Sequence, residues 1–138
     1  MASGQIPCTE DNLRVKYGNV ENLVPSWRKE RRSSIDAAGG EIYDPWFLDA
    51  EKIIARDLRK FQKPLKFEDF GNLEDLSQLK SYKTLELLFR MNIKQPGDKF
   101  AVDADYNAAQ YQQELESIPV LTPDGANYTP GGGLVRRT

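Results

Sequence analysis

The chain has 138 residues, 39% hydrophobic and 29% charged, with a formal net charge of −2 and no histidine. The missing histidine removes Ser-His-Asp triads, imidazole acid–base chemistry and nearly every zinc site, and the single cysteine, Cys8, excludes an internal disulfide and fits a reducing cytosol. One domain with one modest core is expected at this length, and a mean hydropathy of −0.63 with 10% aromatics is polar but globular.

Thr9 to Gly18 reads as a short helix. Thr9 is the expected N-cap, Glu10 and Asp11 fill the first turn, and Gly18 is the expected left-handed residue after the last turn. Leu13 and Tyr17 share one face. Asn19 to Ile42 is the least regular stretch, anchored at its start by Val20, Leu23, Val24 and Trp27. Its remainder, 26–43, reads as a long polar loop or a short hairpin through Gly39-Gly40.

Asp44-Pro45 opens the first long helix, with Asp44 as cap and Pro45 at the first helical position. Trp46, Phe47, Ala50, Ile53, Ile54, Leu58 and Phe61 form its apolar stripe. After a break at 65–71, Asn72 is the expected cap of a second long helix carrying Leu73, Leu76, Leu79, Tyr82, Leu85, Leu88, Phe89 and Met91. Its wide apolar arc predicts the most buried helix. Gln95-Pro-Gly-Asp98 is a turn, and Asp98 starts a third long helix to about Ile118. There Ala101, Ala104, Ala108, Tyr111, Leu115 and Ile118 make a narrow seam that permits close helix approach.

From Pro119 the pattern stops. The expectation is an all-α fold, a small helical bundle over 1–118, with an extended tail over 119–138. Val120, Leu121, Tyr128, Leu134 and Val135 are candidate anchors in that tail, followed by Arg136 and Arg137.

Charge is uneven along the chain. Trp27, Arg28, Lys29, Arg31 and Arg32 form a basic knot around one aromatic. Lys52, Arg56, Arg59, Lys60 and Lys63 recur at helical spacing. Residues 100–135 hold no lysine or arginine but carry Asp103, Asp105, Glu114, Glu116 and Asp124. Such polarity suits subunits that meet through unlike patches. The knot also suits phosphate and base contacts, although the acidic chain has no global pull toward nucleic acid.

No phosphate-binding loop, dinucleotide fingerprint, nucleophile elbow or zinc-ligand spacing occurs. Cys8 has no histidine to activate it. The expectation is a non-enzyme with no cofactor, no metal and no catalytic residue. No apolar run approaches a membrane span, and residues 1–7 lack the features of a signal peptide.

Four stretches together resemble one family. Cys8-Thr-Glu-Asp-Asn-Leu-Arg-Val-Lys-Tyr-Gly18 is similar to the T-E-x-x-L-x-x-x-[YF]-G entry helix of phage head–tail connector proteins. Asp49-Ala-Glu-Lys-Ile-Ile-Ala-Arg-Asp-Leu58 resembles their apolar second helix, and Leu79 to Phe89 the leucine-rich helix that follows. Ala109-Gln-Tyr-Gln-Gln-Glu-Leu-Glu-Ser-Ile118 resembles the last helix, with Asp124-Gly125 in the loop after it. The resemblance implies an adaptor in the virion neck: a homo-oligomeric, twelvefold ring beneath the portal protein that prolongs the DNA channel and docks the next neck or tail protein. It implies contact with genomic DNA, no membrane and synthesis in the host cytoplasm. The expected interface residues are Trp27, Arg28, Lys29, Arg31, Arg32, Arg56, Arg59, Tyr128, Leu134, Val135, Arg136 and Arg137. The alternatives are a neck stopper or tail-terminator subunit, or a small nucleic-acid-binding regulator using 27–32.

Overall fold

The computed structural model describes residues 6–60, 76–117, 120–121 and 127–128, with side chains left aside at 59, 60, 117 and the last four. Six helices lie among them: α1 Glu10–Lys16, α2 Ser26–Lys29, α3 Arg32–Ala37, α4 Asp44–Lys60, α5 Ser77–Met91 and α6 Lys99–Ser117. A 3-10 turn, Val20–Leu23, joins α1 to α2. β1, Val120–Leu121, pairs antiparallel with β2, Asn127–Tyr128. The fold is an all-helical bundle, as the apolar periodicities require. Among the described tail residues, the chain is extended as expected and pairs with itself in this two-residue ladder.

The entry helix α1 begins as the sequence predicts. The Thr9 N–H donates to Asn12 Oδ1 at 2.7 Å, satisfying a backbone group that the first turn leaves open. Its end differs, because Tyr17 leaves the helix extended and Gly18 has no positive φ. Tyr17 is instead fixed by its ring, packed edge-on against Phe89 at 5.0 Å.

Segment 26–43 is more regular than its polar composition suggests. It carries α2 and α3. Gly39, at φ +86°, ends α3 as its left-handed C′ residue. The Gly39 N–H reaches Asp36 O and the Gly40 N–H reaches Ile35 O, both at 3.0 Å, which is the Schellman closure of a helix rather than a hairpin turn. Asp44 then accepts the Glu41 N–H at 2.9 Å. The Phe47 N–H bonds Tyr43 O, so Tyr43 holds the cap position and Asp44-Pro45 sit one place later than predicted. Pro45 remains harmless there, since first-turn N–H groups have no intrahelical partner.

The expected cap Asn72, the break at 65–71, Phe61 and Ile118 lie outside the described residues. Asp98 caps α6 as predicted, its Oδ1 taking the Ala101 N–H at 3.0 Å. Gly97, at φ +82°, supplies the left-handed position of the preceding turn.

Helix α5 is the centre, packed on α4, α6, α1 and the 3-10 turn. Two apolar clusters lie along it. One gathers Leu13, Val20, Leu23, Tyr43, Phe47, Leu88 and Phe89 beneath the N-terminal third of the chain. The other gathers Ile6, Ile54, Leu58, Leu79, Tyr111 and Leu115 where α4, α5 and α6 converge. Each fully buried Leu, Ile or Phe contributes about 1.5–3 kcal/mol. No helix among the described residues is long and apolar enough to cross a membrane.

Candidate interaction surfaces

The basic knot at 27–32 divides into two parts. Arg28 is structural: its Nε donates to Ile42 O at 2.7 Å and its Nη2 to Glu41 O at 3.3 Å, tying α2 to the strand of chain that enters α4. Arg32 is structural as well, with Nη2 at 3.3 Å from Glu10 and 3.1 Å from Glu21. Trp27, by contrast, is 61% exposed. Arg31 is exposed and Lys29 half-buried, and neither makes an ion pair among the described residues.

Glu10 anchors the structural half. Its carboxylate accepts the Tyr43 hydroxyl at 2.7 Å and pairs with Arg14 and Arg32. Desolvation pushes the Glu10 carboxyl up, but the Tyr43 hydroxyl and the two arginines outweigh it, so it titrates below its ordinary range. Burial and the same contact push the Tyr43 phenol up. Beside this network lies a polar cleft of about 490 Å³ lined by Glu10, Asp11, Asp36, Glu41 and Arg32. Burial, then Asp44, Glu10 and Asp36, raise the Glu41 carboxyl. No three metal-ligating side chains converge among the described residues.

Arg56 on α4 is exposed and pairs with its neighbour Asp57 at 3.1 Å. Asp57 is buried and accepts the Tyr111 hydroxyl from α6 at 2.8 Å. Arg59 lies in α4, but its side chain is outside the described residues. Tyr128 belongs to β2, opposite Val120. Leu134, Val135, Arg136 and Arg137 lie outside the described residues.

Among the described residues Lys52 makes no ion pair, and the α6 acid that does is Asp105, 3.4 Å from Arg90 of α5. No ion pair among the described residues joins α4 to α6.

A second surface escaped the sequence reading. Tyr17, Tyr82, Phe89 and Tyr106 line a groove of about 250 Å³ between α1, α5 and α6, with Lys16, Asp103 and Asn107 at its edges. Tyr106 is 60% exposed and Val102, one turn earlier, 59%. Both fall outside the α6 seam, which was the available signal. No protein-family model matches the chain, and neither a curated protein nor a solved structure matches it. The thiol of Cys8 is a core contact, buried 3.5 Å from Ser81 Oγ, and burial pushes it up.

Proposed function

We propose that the chain is a structural subunit of a virion neck: an adaptor that forms a ring under the portal, extends the DNA channel and docks the next neck or tail component. The sequence resemblance over 8–125 suggests the setting. The observation that carries it is the separation of opposite charge: Lys52 and Arg56 are exposed on α4, and among the described residues no ion pair joins α4 to the acids of α6. Ring closure needs two unlike patches on each subunit, and opposite charges carried on different helices supply such patches.

The alternatives fit less well. Neck stoppers and tail terminators tend to be β-rich, whereas this chain is a helical bundle. A nucleic-acid regulator using 27–32 would need free guanidinium groups, and Arg28 and Arg32 are committed internally.

Electron microscopy of the purified chain, alone and mixed with portal protein, tests the proposal. The expected result is a ring coaxial with the portal. A monomer that ignores the portal and binds oligonucleotides with a steep salt dependence would overturn it.

A further inference from the structure

Trp27 is a large aromatic side chain left 61% exposed on a short helix that is itself firmly held. Arg28, beside it, is bonded to the carbonyls of Glu41 and Ile42, and Val24, three residues before Trp27, is buried in the core. The indole is thus presented on a rigid base, so little ordering would oppose its docking. Exposed tryptophan flanked by arginine is the composition of an interface anchor.

The aromatic groove is the complementary shape. Its volume, about 250 Å³, falls below the ~300–1,000 Å³ typical of small-molecule sites and suits a single large side chain. Its walls are fixed in advance. Tyr17 is held edge-on to Phe89, and Lys16 Nζ lies 4.5 Å from the Tyr82 ring centroid while bonding Gln78. Tyr106 and Val102 extend the apolar rim along α6.

Charge matches as well. Among the described residues Lys29 and Arg31 flank Trp27 without ion-pair partners, and Asp103, at the groove, has none either, with Asp105 two residues on. The groove's lining includes no residue of 20–43, so Trp27 does not fill it within its own chain. We propose that Trp27 of one copy seats in the Tyr17–Tyr82–Tyr106 groove of a second copy, with Arg31 facing Asp103. The contact is head-to-tail, so its repetition builds a ring or filament. It deepens the neck reading and rests on it for its biological setting.

Light scattering after size exclusion, over a concentration series of the full chain, tests the contact. The wild type should exceed one subunit's mass as concentration rises. Trp27→Ala should move the midpoint by about thirtyfold or more, the scale of an anchor residue. Arg31→Asp and Asp103→Arg should each weaken association, and Arg31→Asp/Asp103→Arg together should restore it. Trp27 and Arg31 are exposed, so circular dichroism should be unchanged in their variants. A wild type that stays monomeric throughout, association indifferent to Trp27→Ala, or a double variant no better than the singles would each overturn the contact. Self-association through Trp27 without portal binding keeps the contact and removes the neck reading. Portal-bound rings indifferent to Trp27→Ala do the reverse.

Discussion

Lys80 Nζ lies 2.7 Å from Glu51 Oε2, with the lysine side chain fully buried and the glutamate side chain 10% exposed. The pair clamps the start of the chain. Lys80 also donates to Ile6 O at 2.7 Å, and the Ile6 N–H donates to the same Glu51 oxygen at 2.6 Å. Both backbone groups of Ile6 are satisfied while its side chain fills the second apolar cluster. Removing one partner strands a buried charge, at a cost of about 3–5 kcal/mol, whereas replacing both by apolar groups leaves no unpaired ion. Lys80→Met and Glu51→Leu should therefore each be strongly destabilising in urea unfolding, and the double variant less so than their sum. Additive losses would show that the pair is not coupled.

Arg28 and Arg31, three residues apart, have different parts in stability and binding. The two bonds of Arg28 go to backbone carbonyls, and Ile42 is buried. Arg28→Ala should cost about 1.5–3 kcal/mol, the range for hydrogen bonds to a charged group. It should also weaken self-association, because its bonds hold the helix that presents Trp27. Arg31→Ala should weaken association alone, with an unchanged urea midpoint.

Much of the bundle was legible because its helices carry clear periodicity and punctuation. Phe47, Ala50, Ile54 and Leu58 are buried as their spacing predicts, and Asp98 caps as its position predicts. Segment 26–43 was misread because its helices are short and lack an apolar stripe. What fixes them is long-range: Arg28 reaching Ile42, Arg32 reaching Glu10, and Gly39 closing α3. The Lys80–Glu51 pair was readable in part. Glu51 stands between Phe47 and Ile54, and Lys80 between Leu76 and Thr84, on buried helical arcs. Their pairing depends on how α4 meets α5, which neither helix's own sequence states. The aromatic groove needed three elements at once and so had no local signature.

Thr84 is fully buried on α5, and its hydroxyl has no hydrogen-bond partner. An unsatisfied buried hydroxyl costs about 1–3 kcal/mol. Thr84→Val keeps the shape and removes the polar atom. Its melting temperature should equal or exceed that of the wild type, while Thr84→Ser, which keeps the hydroxyl and opens a methyl-sized gap, should melt lower. A marked loss in Thr84→Val would mean that the hydroxyl is bonded in solution.

The two carboxylates at the polar cleft should respond to acid in opposite senses. The Glu10 N–H donates to Glu41 Oε1 at 3.2 Å, yet Glu10 is shifted down and Glu41 up from the same ordinary value of 4.5. Glu10, held ionised by Tyr43, Arg14 and Arg32, binds fewer protons folded than unfolded near that pH. Its contribution is complete above 4.5 and is lost as pH falls through its lower folded value. Glu41 is desolvated and faces Asp44, Glu10 and Asp36. Its contribution is complete below 4.5 and is lost as pH rises through its raised folded value. Both groups remain in contact with solvent, so each effect should stay within about 1 kcal/mol. Urea midpoints across a pH series should place Glu10→Gln below the wild type at neutral pH, with the gap closing in acid. Glu41→Gln, whose amide oxygen can still accept the Glu10 N–H, should lie above the wild type at neutral pH and converge with it below 4.5. Two variants shifted in the same direction at neutral pH would refute the assignment of a favourable Glu10 and an unfavourable Glu41.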